Sequence, residues 1–331
     1  MSITVLAFAP KLKNENIEIS KPLDPEEKTT APEAVKRAIY TNPPQEILDS
    51  LYLPGGDDIE NSTYFDSPKF ETFSPVIERL VEKGVDTSFI NRIINDESTT
   101  FEDKFVKMNV TGYLKKPDYS SHYNDRSVSK SKEFHVENIE LLEAAEEMYK
   151  VDAEAITSIL WVETRHGGYT GNNKIVNVFL STAMANEPEY IQMNLDELEK
   201  HHEKGSSEYI KLEKKIRSRA KRKSKWALEQ LEALSQIEDK LPYSVTELEG
   251  SWAGAFGWSQ FLPTSYKRWA VDGNEDGKID LFDKADAIFS VANYLKAHGW
   301  TASKKKQRKA VYGYNHSNDY VHAVLKLKSM I

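Results

Sequence analysis

From Ser74 onward, apolar residues recur every three or four positions, and stretches that alternate apolar with polar residues are scarce. A helix turns once in about 3.6 residues and a strand reverses its side chains every two, so this spacing commits the chain to packed helices. Val76, Ile77, Leu80 and Val81 follow Ser74-Pro75. That order predicts an amphipathic helix capped at Ser74, with proline in its first turn and Gly84 at its end. Residues 87–95 and 101–110 predict two shorter helices, and residues 115–132 a polar connection. Further helices are predicted over 136–149, with Ile139, Leu142, Ala145 and Tyr149 on one face, and over 153–163, 286–298 and 320–330. One or two long charged helices are predicted over 195–240. The fold class is therefore mainly α.

Before residue 66 this periodicity is missing. Pro22, Pro25, Pro32, Pro43, Pro44 and Pro54-Gly55-Gly56 interrupt it, which reads as an extended arm with short helical pieces such as 32–40. Residues 1–9 are apolar and end in an A-x-A pattern, like the tail of a secretory signal. They carry no basic n-region, and an ordinary flexible or strand-like terminus fits them better. The chain of 331 residues divides into an N-terminal arm (1–65), a small helical region (66–134) and a larger helical domain (135–331). Hydrophobic residues make up 39% of it, enough for a real core. The net charge of −8 argues against nucleic acid as a partner. The absence of cysteine excludes disulfides, zinc-thiolate sites and cysteine nucleophiles. No run approaches the ~20 apolar residues of a membrane span.

Three stretches carry chemistry. In the first, Ile156, Ile159, Leu160 and Glu163 fall at i, i+3, i+4 and i+7 and share one helical face. That face points inward, so a carboxyl stands at the end of an apolar stripe. Desolvation disfavours its charged form, and a proton retained near neutral pH is what a general acid needs. Gly167 and Gly168 end this helix and would let a ligand approach the backbone. The plainer reading pairs Glu163 with Arg165 or another arginine. In the second stretch, residues 250–265, small residues alternate with Trp252, Phe256 and Trp258 before Gln260 and Pro263. Such flat rings suit sugar stacking, although at least one is expected in the core. The third places Tyr314, Asn315, Ser317 and Tyr320 together at the start of the last helix, where they can donate and accept hydrogen bonds.

Taken together, these stretches resemble the membrane-bound lytic murein transglycosylase B family. The matching text is Val162-Glu-Thr-Arg-His-Gly, Gly250-Ser-Trp-Ala-Gly-Ala-Phe-Gly-Trp-Ser-Gln-Phe-Leu-Pro-Thr-Ser-Tyr, Ala270-Val-Asp-Gly-Asn-Glu-Asp-Gly, the segment from Ala287 to Trp300, and Tyr314-Asn-His-Ser-Asn-Asp-Tyr320. The resemblance covers roughly residues 135 to 327 in consistent order. It implies a lysozyme-like catalytic domain that cleaves the β-1,4 bond between N-acetylmuramic acid and N-acetylglucosamine in peptidoglycan, with a 1,6-anhydro product. It implies Glu163 as the single catalytic acid/base, Ser251 beside it, and Gln260, Tyr294, Tyr314, Asn315 and Tyr320 lining the sugar subsites. A further tyrosine expected upstream matches Tyr119 or Tyr123. Peptidoglycan glycan strands would be the partner and the periplasm or cell envelope the location. No cofactor is expected for catalysis. Against this pattern, residues 195–248 form a longer charged helical insertion. A hydrolytic muramidase of the same fold and a non-catalytic, calcium-dependent wall-binding protein are the alternatives.

A metal loop is expected at residues 272–283. Asp272, Asn274 and Asp276 hold positions 1, 3 and 5 of an EF-hand pattern, with Gly277 at the sharp turn, the Lys278 carbonyl at position 7 and Asp283 at position 12. Asp283 is shorter than the usual glutamate, and the resemblance implies Asp286 as the closing ligand of a longer loop. Calcium there would be structural. Eight Lys or Arg and no acid stand between residues 214 and 225. A solvated helix whose apolar face carries Ile216, Trp226 and Leu231 is the favoured reading of that run, ahead of a site for anionic polymers or membranes.

Overall fold

In the computed structural model, which describes residues 68–112 and 118–331, the first helix begins at Pro68 and carries Pro75 in its interior. This helix, α1 (Pro68–Glu82), therefore starts well before the cap predicted at Ser74. Pro75 has no N–H to give to the carbonyl of Glu71, and the Ser74 hydroxyl donates to that carbonyl instead, at 3.1 Å. The serine read as a cap is thus the side chain that lets the helix run through its proline. The predicted arm (1–65), with its piece at 32–40 and the signal-like residues 1–9, lies outside the described residues.

Helices α2 (Thr87–Asn95) and α3 (Asp103–Val110) follow as expected, α2 capped by Asp86, whose side chain accepts from the amides of Ser88 and Phe89. The predicted polar connection instead contains a 3-10 turn at Ser120–His122 and most of α4 (Asp125–Glu137). Asn124 caps α4 through the amide of Ser127, and the buried side chains are Ser127, Ser131 and Phe134. Two serines on the inner face erase the apolar stripe that sequence reading relies on. Phe134, at the division drawn between the helical region and the larger domain, falls inside this helix. The helix expected over 136–149 is broken at Asn138, so α5 runs Ile139–Tyr149.

Among the described residues the regular elements that follow are helical apart from one two-residue antiparallel pair. Helix α6 spans Ala153–Thr164, and strand β1 (Asn173–Lys174) leads into α7 (Ile175–Ala183). Two charged helices follow, α8 (Pro188–Glu199) and the 31-residue α9 (Ser207–Ile237). Strand β2 (Glu249–Gly250) pairs with β1, joining Asn173 to Gly250 and Lys174 to Glu249. Helices α10 (Pro263–Trp269), α11 (Lys284–Ala297), α12 (Lys304–Tyr314) and α13 (Asn318–Lys328) close the chain. One apolar core includes Phe73 and Ile90 from the first helices, Ile156 and Leu160 from α6, Phe179 from α7, Leu231 from α9 and Val324 from α13. The basic run lies on α9 with Ile216, Trp226 and Leu231 buried beneath it, so this charged segment is part of the core's wall. Among the described residues, no helix is long and apolar enough to cross a membrane.

Candidate active site

Glu163 sits one residue from the end of α6, and the chain leaves the helix there in an unusual way. Arg165, His166 and Gly167 all have positive φ, at 57°, 55° and 80°. The amide of Arg165 donates to the Trp161 carbonyl, an αL-type closure with arginine at the left-handed position where glycine is usual, and the amide of His166 reaches back to the Leu160 carbonyl. Gly167 and Gly168 therefore lie just beyond the helix end. Gly167 also makes room for protein and not for a ligand: a Cβ there would lie 2.1 Å from Cε2 of Trp258. The Thr164 hydroxyl donates to the Trp258 carbonyl at 3.0 Å and accepts from the amide of Gly167. The last turn of α6 is thereby bolted to the 250–265 segment.

The Glu163 side chain is 3% exposed. Among the described residues no cation pairs with it, and Arg165 turns away to lie 4.7 Å over the Trp161 ring. Its one hydrogen-bond partner among the described residues is the Tyr320 hydroxyl, which donates to Oε1 at 2.5 Å. Burial pushes the Glu163 carboxyl up to about 8, and the Tyr320 hydrogen bond opposes that rise only in part. The carboxyl is therefore mostly protonated at neutral pH.

Aromatic side chains stack behind this acid. Tyr314 lies parallel to Tyr320, ring centres 6.4 Å apart, and meets Tyr294 edge to face at 4.7 Å. The Tyr314 hydroxyl donates to the Ser259 carbonyl. Tyr294 in turn stacks on His298 at 3.9 Å. Of the two upstream tyrosines, Tyr119 packs edge-on against Tyr320 at 5.8 Å, whereas Tyr123 packs against His322. Burial and the nearby Glu163 carboxyl hold Tyr119, Tyr294, Tyr314 and Tyr320 above the usual phenol range, so all four stay neutral. Tyr119 faces Asn315, and the Tyr119 hydroxyl and Asn315 Oδ1 are both buried without a well-formed hydrogen bond.

Glu163 forms part of a narrow cleft with Tyr169, Thr170, Gly171, Asn173, Ser251, Trp252 and Gln260. The β1–β2 pair brings the 169–173 and 250–252 walls together. Gly171, at φ 93°, lies so near Gly250 that a Cβ would stand 2.2 Å from the Gly250 carbonyl oxygen. Gln260, at φ 49°, ties the walls with its side-chain amide, donating to the carbonyls of Thr170 and Gly257 at 3.0 Å each. Ser251 closes its own turn by accepting from the amide of Ala255 at 3.2 Å. The three aromatics of this segment separate: Phe256 is wholly buried, Trp258 packs on Gly167, and Trp252 lines the cleft. The wall at Tyr169, Thr170 and Asn173 escaped sequence reading. Its one signal is a tyrosine and a threonine flanked by Gly168 and Gly171.

The acidic loop is separate from this cleft. Oδ1 and Oδ2 of Asp272 accept from the amides of Asp276 and Gly277, Oδ1 of Asn274 from Asp276, and Oδ1 of Asp276 from Lys278. Gly277 takes φ 89°, as the turn at position 6 requires. Asp286 is fully buried and accepts from the amides of Gly273, Asn274 and Asp280. Oδ1 of Asp283 caps α11 through the amides of Ala285 and Asp286. Oxygen donors at alternate positions fit calcium by their chemistry. Among the described residues, however, no three acidic or histidine side chains converge as a ready metal site.

Residues 71–312 match the profile of the family described as Transglycosylase SLT domain. The chain belongs to that family. Over 159 residues, this SLT chain is 37% identical to the membrane-bound lytic murein transglycosylase B of Escherichia coli (strain K12), a match covering 48% of this chain and 35% of that protein. The chain thus spans about a third of the length of the curated relative it matches. Among solved structures, it is similar to the Escherichia coli lytic transglycosylase Slt35 in complex with calcium, with a TM-score of 0.59 and 21% identity over 81% of this chain and 94% of that one. It is also similar to SltB3 of Pseudomonas aeruginosa in complex with NAG-anhNAM-pentapeptide, with a TM-score of 0.53 and 23% identity over 71% of this chain and 54% of that one. These likenesses give the SLT chain the lysozyme-like, mainly helical fold expected from its sequence.

Proposed function

We propose that this protein is a lytic transglycosylase that cleaves the β-1,4 bond between N-acetylmuramic acid and N-acetylglucosamine in peptidoglycan, releasing 1,6-anhydro-N-acetylmuramic acid ends. One observation carries the reading: Glu163 is buried, retains its proton near neutral pH, and among the described residues is the only carboxyl lining the cleft. Glycosidases that use water or a covalent nucleophile ordinarily place two carboxyl groups about the bond. A cleft with one suits a reaction in which the substrate supplies its own nucleophile. The sequence of the curated relative and the peptide-bearing ligand of SltB3 support the same substrate class.

In the first step, Glu163 gives its proton to the glycosidic oxygen as the C1–O bond breaks. The neighbouring N-acetyl carbonyl of the muramic acid stabilises the positive C1. The carboxylate then takes the proton of the C6 hydroxyl, whose oxygen attacks C1, and Glu163 ends protonated again. The Tyr320 hydroxyl stabilises the carboxylate between these two transfers. Intramolecular attack needs a held sugar and little competing water, and a narrow cleft closed by Gln260 and backed by neutral tyrosines favours both. Ser251, Gln260, Tyr294, Tyr314, Asn315 and Tyr320 are assigned to binding or bracing the glycan. Asp272, Asn274, Asp276, the Lys278 carbonyl, Asp283 and Asp286 are assigned to a structural calcium, as the calcium complex of Slt35 suggests by analogy. Peptidoglycan as substrate puts the protein in the cell envelope, most simply the periplasm.

Mass spectrometry of fragments released from purified peptidoglycan tests this. Ends in 1,6-anhydromuramic acid, absent with Glu163→Gln, are expected. Reducing ends, heavier by one water, would make the enzyme a muramidase, and no release at all would return it to wall binding.

A further inference from the structure

Tyr169 is 53% exposed, and of the large apolar side chains exposed among the described residues it alone lines the cleft. The others, such as Val136 at 71% and Met148 at 64%, lie outside the cleft lining. An isolated exposed ring needs no explanation by itself. This one stands on a loop fastened at both ends. Its own amide donates to the Thr164 carbonyl at 2.9 Å, one residue from Glu163. The next carbonyl, of Thr170, receives the Gln260 amide at 3.0 Å. Two residues on, Gly171 is pressed against the Gly250 carbonyl. The backbone around Tyr169 is therefore fixed to the catalytic helix on one side and to both cleft walls on the other, yet the ring itself is left in water.

We infer that Tyr169 is a saccharide-stacking residue, presenting its ring to the apolar face of an N-acetylhexosamine pyranose bound beside Glu163. This rests on the glycan-cleaving reading given above. The face of a β-linked pyranose carries polarised C–H groups, which suit the electron-rich face of an aromatic ring. A tyrosine has two side-chain torsions to order, so the entropic cost of fixing it against a ligand is small. The fixed loop lowers that cost further. Trp252, half-buried in the same cleft, offers a second ring. With the acid at the cleft floor and Tyr169 at its rim, the sugar is gripped by shape and flatness as well as by hydrogen bonds. The phenol hydroxyl is not needed in this role.

The test uses two readouts. Binding of the N-acetylglucosamine tetramer is measured by calorimetry on the Glu163→Gln protein, with Tyr169 intact or changed to Ala, Phe or Leu. KM and kcat for solubilised glycan strands are measured on the active protein with the same changes. Tyr169→Ala and Tyr169→Leu are expected to weaken tetramer binding and raise KM about tenfold, with kcat within about twofold. Tyr169→Phe is expected to behave as the parent. Equal losses in Phe and Ala would assign the effect to the hydroxyl and overturn the inference, as would parental binding by Tyr169→Ala. Parental tetramer affinity and parental KM in Tyr169→Ala, with anhydro ends released by both proteins, would fell this inference alone. If the parent releases none, the reaction assignment falls, and the tetramer arm still decides the role of Tyr169.

Discussion

Two buried carboxyl groups in this protein meet opposite surroundings. Glu163 ends an apolar helix and touches one donor, the Tyr320 hydroxyl. Asp286 is as deeply buried but accepts from three backbone amides, of Gly273, Asn274 and Asp280. Desolvation raises both, and for Asp286 the three amides pull back against it. The same functional group thus becomes a held proton in one place and an anchor for a loop in the other. What separates them is the number of N–H groups aimed at each, set by whether the neighbouring backbone is closed in a helix or open in a turn.

The largest effect that could break this comparison is in activity. Glu163→Gln is expected to lower turnover about a thousandfold, since it removes a general acid. The same variant tests the held proton without any substrate. Because the folded protein raises this carboxyl from 4.5 to about 8, the stability it contributes is full below 4.5 and lost as pH rises toward 8. Thermal melts of Glu163→Gln should lack that decline, so that the variant gains on the parent between pH 5 and pH 8. A constant gap across that range would mean the carboxyl is not buried as described.

Asp286→Ala comes next. It leaves three loop amides without their acceptor, and urea unfolding should show a loss of about 3 kcal/mol, from about 1 or more for each buried group. A loss below about 1 kcal/mol would show that the loop is held by something else. Calcium sharpens the same side of the comparison. At a hundredfold excess over its dissociation constant the ion should add about 2.7 kcal/mol to stability, and Asp272→Ala should abolish that gain. A melting temperature indifferent to both calcium and chelator would remove the metal from this loop. The smallest effect is expected from Tyr320→Phe. It deletes the one hydrogen bond that lowers the Glu163 pKa, so the carboxyl titrates higher. The basic limb of the activity profile should therefore move up, by at most about one pH unit. A downward move would reverse the role given to Tyr320.

The inward face of α6 was legible because Ile156, Ile159, Leu160 and Glu163 obey helical spacing, and nothing distant had to be known. Helix α4 was not, because Ser127 and Ser131 take inner positions where periodicity looks for apolar residues. Pro75 misled for a related reason: its usual meaning as a helix start gave way to a hydroxyl from Ser74 that replaces the missing donor. In the acidic loop, spacing pointed to Asp283 as a ligand and gave no sign that the same aspartate, just before a helix, also caps it through Oδ1. The gathering of Tyr294, Tyr314 and Tyr320 around Glu163 was reached only through family resemblance, since contacts across such separations leave no local pattern. Tyr169 lay beyond both routes, on a loop without periodicity.

The way the first three helices share their core with α7 and α9 has a consequence for inheritance. Phe73 and Phe105 are buried in the same apolar cluster as Phe179 and Leu231. The Arg79 side chain reaches Ser224 of α9 and Glu187 beside α8. A gene fragment encoding only the segment from residue 135 onward would carry the acid with Tyr294, Tyr314 and Tyr320 but would lose Tyr119 and strip the covering from that cluster. Recombination between relatives therefore has to pass the front helices on together with the residues that do the chemistry, because both are packed in one core.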